Sequence, residues 1–233
     1  MQNFKTKEFR NTGVASMKII ILSFVLFICF IILLACSEEK TCNNDACPDK
    51  KEYYVKSLNK CASNSLGLTL LNVVSYQQTT EYSCGPASVV TLLNYYGKNG
   101  NEMQIANEMG TSTTNGTRPE QMTDWLNKNG FNAEWSENGT LEMLRENLSN
   151  KKPTLVEWSD WGGHWVVVVG YDTRNTDILD DDVIIFADPY DRHDDDPDGF
   201  DWFNAQRFYY MWYDARLFGK YMSRIYIDAN PKA

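Results

Sequence analysis

The segment Trp161-Gly-Gly-His164-Trp-Val-Val-Val-Val-Gly-Tyr171 constrains this chain more than any other. Four consecutive valines between aromatic residues read as a buried strand, because β-branched and aromatic side chains suit a sheet surface. His164 stands at the mouth of that strand, just after a flexible Gly-Gly. A polar residue in such a place is held rigidly yet can face a cleft. The only other histidine, His193, lies in an acidic loop with nothing apolar to fix it. A second strand-like run, Val183-Ile-Ile-Phe-Ala187, ends on Asp188-Pro189. If the two runs pair, Asp188 can accept a hydrogen bond from the His164 ring, orient it and stabilise its charged form.

Upstream lies Gln78-Thr-Thr-Glu-Tyr-Ser-Cys84-Gly-Pro-Ala-Ser-Val-Val. Apolar residues then recur at helical spacing to Tyr96, and Gly97 stops the helix. Pro86 suits the first turn, where its missing N–H would be unpaired anyway. A sulfur at a helix N-terminus feels the positive end of the dipole, a setting that favours the anionic, nucleophilic form. Each element also has an ordinary reading. A cysteine on a helix face is usually an inert core residue, a histidine beside valines can be structural, and Asp-Pro can simply start a turn. Co-occurrence in this order, with a glutamine amide six residues before the cysteine, is what points to a site.

Taken together these motifs resemble the bacteriocin-processing cysteine peptidases, which cleave leader peptides after double glycine, and in particular their stand-alone papain-like members. The resemblance spans roughly Leu66 to Asp228 and implies the order Gln, Cys, His, Asp. Gln78, Cys84, His164 and Asp188 match it, with 80 residues from Cys84 to His164 and 24 from His164 to Asp188. Gln77 is a neighbouring candidate, but the six-residue spacing selects Gln78. The implied fold is α+β and papain-like, with an N-terminal helical part whose nucleophile helix packs on an antiparallel sheet. The implied chemistry is peptide hydrolysis by a Cys84–His164–Asp188 triad, with Gln78 in the oxyanion hole and no cofactor. Two alternatives stay open: a transglutaminase-like acyltransferase using the same triad, and a non-catalytic lipoprotein that binds a peptide or cell-wall partner.

Residues Ile19 to Ala35 form an apolar run preceded by Lys5, Lys7, Arg10 and Lys18, as in a secretory signal. Leu33-Leu34-Ala35-Cys36 resembles a bacterial lipoprotein signal, in which Cys36 carries lipid. An uncleaved anchor is the second reading, and Met17 is an alternative start. Either way the rest of the chain is expected outside the cytoplasm, in the cell envelope. Residues 1–35 read as signal, 36–64 as a polar tether and 65–233 as one peptidase domain, large enough for a single core and an expected monomer. Loss of residues 1–35 leaves 18 Lys and Arg against 30 Asp and Glu, a net charge of −12. That excludes nucleic acid as an expected partner and leaves a peptide or protein substrate. Of the remaining cysteines, Cys42, Cys47 and Cys61 allow one disulfide without saying which.

Past Cys84, helices are expected at Asn101–Met109, from a capping box at Thr117-Arg-Pro-Glu120 to Gly130, and through Leu141, Leu144 and Leu148. Strands are expected at Phe131–Trp135, Thr154–Trp158, His164–Tyr171, Val183–Ala187 and Tyr221–Ile227. The aromatic segment Trp202–Tyr213 reads as a core helix. Asp194, Asp196 and Asp198 precede a glycine as in a calcium loop, but Ala205 replaces the closing Glu. At most a weak structural calcium site is expected there, and a solvated acidic turn otherwise.

Overall fold

A computed structural model describes residues 54–55, 60–61, 67–191, 198–214 and 218–232, with backbone alone at 54–55, 60–61 and Trp161. All fall in the second of the two units of the chain, Cys42–Ala233. The signal, Cys36, the pairing of Cys42, Cys47 and Cys61, and the calcium candidates Asp194 and Asp196 lie outside the described residues.

Two short strands, β1 (Tyr54–Val55) and β2 (Lys60–Cys61), form an antiparallel pair. β3 (Leu68–Leu70) precedes three helices, α1 (Cys84–Tyr95), α2 (Glu102–Met109) and α3 (Pro119–Lys128). β4 (Phe131–Ser136) and α4 (Leu141–Ser149) lead into β5 (Thr154–Trp158), β6 (His164–Asp172) and β7 (Val183–Ala187). β8 (Phe200–Asn204), α5 (Ala205–Met211), β9 (Tyr213–Asp214), β10 (Met222–Ser223) and β11 (Ile225–Pro231) complete the order.

The helix ends follow local chemistry. The Asn101 side chain accepts from the Gln104 N–H to cap α2, and Gly110 closes it in a left-handed conformation. Thr140 caps α4 by accepting from the Met143 N–H. At α3 the expected cap shifts by one residue. Arg118, not Thr117, is the N-cap, and its own N–H donates to Gln121 Oε1 at 2.8 Å. Thr117 is buried instead, with its carbonyl accepting the Trp165 indole N–H at 2.9 Å. A buried indole needs an acceptor, and that demand fixes Thr117 outside the helix.

The main sheet has seven strands in the order β4-β11-β5-β6-β7-β8, with β3 beside β6, and every pairing is antiparallel. The valine run lies at its centre. β5 covers one edge of β6 from His164 to Val168, and β3 takes over that edge from Gly170 to Asp172. The approach is close: a Cβ on Gly170 would stand 2.6 Å from Leu70 Cδ1 and 3.0 Å from Ile185 Cδ1. β5, β6 and β7 are buried at every position.

α1 packs on β6, where the buried Ser88 hydroxyl donates to the Trp165 carbonyl at 3.0 Å. The alternation of β5 sends Trp158 to the face opposite Glu157. Trp158 there joins Phe186, Phe203 and Phe208, with Phe208 stacked on Trp212 at 5.0 Å. Each such ring contributes about 1.5–3 kcal/mol by leaving water.

Two expectations are corrected. The segment Trp202–Tyr213 is not one helix: its start extends β8 along the free edge of β7, and only Ala205–Met211 is helical. Asn204 makes the switch by capping α5 through the Arg207 N–H. Tyr221–Ile227 is not one strand either. Arg224 interrupts it at φ 52° between β10 and β11, and its Nε donates to the Gly139 carbonyl at 2.9 Å. The architecture is α+β, with α1 packed on an antiparallel sheet.

Candidate active site

Cys84 opens α1 and is 8% exposed. Ser83 precedes it without a side-chain cap bond. The first N–H groups of a helix have no intrahelical acceptor, so the start of α1 presents donors beside the sulfur. Ser83 instead turns its hydroxyl toward Glu102 on α2. Glu102 is 2% exposed and also accepts from the Thr79 N–H at 2.9 Å, the Thr79 hydroxyl at 2.8 Å and the Tyr76 hydroxyl at 3.3 Å. One buried carboxyl thus pins both flanks of the Gln78–Cys84 segment.

His164 begins β6, after Gly162 and Gly163 at φ 89° and 138°. Those conformations strain any residue with a Cβ, and they let the chain turn sharply into the strand. Asp188 follows β7, the strand paired to β6. The two side chains meet: His164 Nε2 lies 2.7 Å from Asp188 Oδ1, both of them buried. The carboxylate accepts the Nε2–H. Cys84 also acts on the ring electrostatically, and Nδ1 is the ring nitrogen that Asp188 does not engage. Burial pulls the imidazolium down, but the Asp188 charge and hydrogen bond, with a smaller push from Cys84, hold His164 well above 6.5.

Asp188 is itself framed. Its Oδ1 accepts from the Tyr190 N–H at 2.7 Å, and its backbone N–H donates to the Gly199 carbonyl. Its carbonyl accepts from Gln77 Nε2 at 2.7 Å, and Gln77 Oε1 accepts from the Asp191 N–H at 3.3 Å. Both ends of the Gln77 amide are therefore spent on the Asp188 turn. The Gln78 backbone N–H donates to the Pro189 carbonyl at 2.7 Å, stitching this segment to the same turn. The Gln78 side chain behaves differently. Its Nε2 donates to the Thr80 carbonyl at 2.7 Å, and its Oε1 is buried without a partner among the described residues. An amide nitrogen carries two protons, so one remains beyond the Thr80 bond.

A cleft of about 140 Å³ opens beside the sulfur, lined by Tyr82, Cys84, Gly116, Glu157, Gly163 and Trp165 among others. The sequence reading missed Glu157 and Glu102. A lone acid inside the apolar Thr154–Trp158 run was the available signal for Glu157. Of the calcium candidates, Asp198 alone is described, and its Oδ1 accepts from the Phe200 N–H at 2.9 Å. Among the described residues no group of three or more His, Cys, Asp or Glu is placed to hold a metal.

The Peptidase_C39 like family matches residues 70–216, more than half of the chain. The chain belongs to the Peptidase_C39-like family. As a C39-like protein it is a cysteine peptidase. Solved structures of similar fold include a C39-like peptidase from Bacillus anthracis, 15% identical, with a TM-score of 0.52 over 71% of this chain and 99% of that one. The peptidase domain of Streptococcus ComA, a bifunctional ABC transporter, is 17% identical, with a TM-score of 0.49 over 67% of this chain and 97% of that one. A double glycine motif protease from an AMS/PCAT transporter, solved with its leader peptide, is 18% identical, with a TM-score of 0.46 over 70% and 94%. At these identities the likeness of this C39-like peptidase to its neighbours is one of fold. No curated protein matches it.

Proposed function

We propose that this peptidase hydrolyses peptide bonds with Cys84 as nucleophile, His164 as base, Asp188 as orienter and Gln78 as an oxyanion donor, on a chain exported and lipid-anchored at Cys36. The 2.7 Å contact of His164 Nε2 with Asp188 Oδ1, on a ring whose charge Cys84 also favours from a helix N-terminus, carries this reading.

His164 Nδ1 takes the Cys84 proton, giving a thiolate and an imidazolium. The thiolate attacks the amide carbon, and its oxygen becomes an oxyanion. The Cys84 backbone N–H and the remaining Gln78 amide proton donate to that oxygen. Collapse breaks the C–N bond, and the amine leaves with the proton from His164. Water, deprotonated by His164, then attacks the thioester. The acid departs, and the proton returns to sulfur. Asp188 stays ionised and keeps Nδ1 aimed at the sulfur by holding Nε2–H. The sequence as written consumes water alone and needs no cofactor. The anchor rests on the apolar run Ile19–Ala35 and the cysteine after it.

Peptide hydrolysis by the full chain under reducing conditions tests the reading. Cys84→Ala is expected to abolish hydrolysis and labelling by a thiol-reactive peptide probe, while Cys47→Ala leaves both. Gln78→Ala should lower kcat by about 10²–10³. Retained hydrolysis in His164→Ala would overturn the assigned base. Labelling without any hydrolysis would favour a binding protein.

A further inference from the structure

We propose that Glu157 makes the cleft a receptor for a cationic group of the substrate, an alkylammonium or guanidinium beside the scissile bond. This rests on the reading of Cys84 as the reacting atom, because it places the cation relative to that sulfur.

Glu157 is fully buried, and neither carboxyl oxygen has a hydrogen-bond partner among the described residues. It is not sealed in the core: it lines the same cleft as Cys84, Gly116, Gly163 and Trp165. It stands directly across the β5–β6 ladder from Trp165, so the two share one face. An acid with two empty acceptors is unfavourable in a folded interior unless something supplies donors. No described residue donates to it, and the cleft that it lines is where a donor can enter.

The surrounding charges select the sign of the guest. Asp214, fully buried on β9, acts on Glu157 as a like charge, as does Cys84 on α1; His164 on β6 opposes them. Burial first, then Asp214 and Cys84, hold the Glu157 carboxyl well above the ordinary carboxylate range. Glu81 adds a further acid to the cleft lining. An anionic guest would meet acids and gain little. A neutral apolar guest would leave the empty acceptors empty. A cation supplies N–H donors and positive charge together. On its arrival Glu157 releases its proton to solvent and pairs as the carboxylate, in a charge-assisted bond. A cleft of about 140 Å³ has room for one side-chain terminus of this kind.

The test has one arm that does not depend on turnover. Cys84 in the full chain is modified with 2-aminoethyl methanethiosulfonate or the neutral methyl reagent, and the rates are read by mass spectrometry of the Cys84 peptide. The cation should be favoured by about tenfold or more over the neutral reagent, relative to free cysteine. Glu157→Gln and the volume-conserving Glu157→Met should both lose that preference. An equal ratio in the parent chain and both variants overturns the proposal. The second arm compares hydrolysis of peptides with lysine or norleucine flanking the scissile bond. Hydrolysis with no lysine preference overturns the Glu157 assignment and leaves the peptidase reading standing. No hydrolysis of any peptide, with the Glu157-dependent cation preference intact in modification, sinks the catalytic reading and supports the cation site.

Discussion

His164 is held in its charged form by a balance that burial alone would lose. Burial favours the neutral ring, and Asp188 outweighs it. The sign of the consequence is fixed by a folded pKa raised above 6.5. The ring's contribution to stability is fully present below the unfolded value and is lost as pH rises through the folded one. The ring should likewise keep its charge as pH rises past its ordinary value, until it deprotonates at the raised one. Asp188→Asn removes the charge that raises His164, so the alkaline limb of the kcat/KM profile should move to lower pH. A pH–rate profile checks this; an unmoved alkaline limb would show that Asp188 does not set the charge of the ring. The contact of Asp188 with His164 and the place of Cys84 at the head of α1 were legible in the sequence, because each of these residues ends or begins a strongly patterned segment. Glu102 and Glu157 were not. Acids are rarely buried, and what buries these two arrives from distant elements.

The segment before α1 has no regular structure of its own, and α2 holds it in place through Glu102. Glu102→Ala would leave the Thr79 N–H and the hydroxyls of Tyr76, Thr79 and Ser83 without this acceptor, a loss of about 1–3 kcal/mol. Thermal unfolding should report that loss as a lowered Tm. Activity should fall as well, since Thr79 and Ser83 adjoin Gln78 and Cys84; an unchanged kcat in a destabilised variant would limit Glu102 to folding. Most elements could be read from periodicity. The exceptions have a common cause. Trp202–Tyr213 is aromatic throughout and carries neither a period of two nor of 3.6, so the vacant edge of β7 decides that its first part is strand. The break at Arg224 depends on the Gly139 carbonyl, some 85 positions away, and no local pattern encodes it.

At the scale of the whole molecule, α1, α2 and α3 fall between β3 and the remaining strands of a sheet in which β6 is central, and β11 returns from the C-terminal end to lie between β4 and β5. The α+β class followed from helices first and strands later. The strand order did not, because closing a sheet with its last strand is a long-range event. Anchoring belongs to this scale too. The chain is expected to incorporate a fatty-acid label in a lipoprotein-producing bacterium, and Cys36→Ser to lose it. Label retained in the variant would move the attachment elsewhere, and a parent chain that stays in the membrane unlabelled would favour an uncleaved anchor.

His164 begins β6 and Asp188 follows the strand paired to it, whereas Cys84 enters from a helix, 80 residues before His164. If these three residues react together as proposed, no fragment short of the finished tertiary structure is a competent catalyst, and a nascent polypeptide is harmless to its surroundings until the fold is complete.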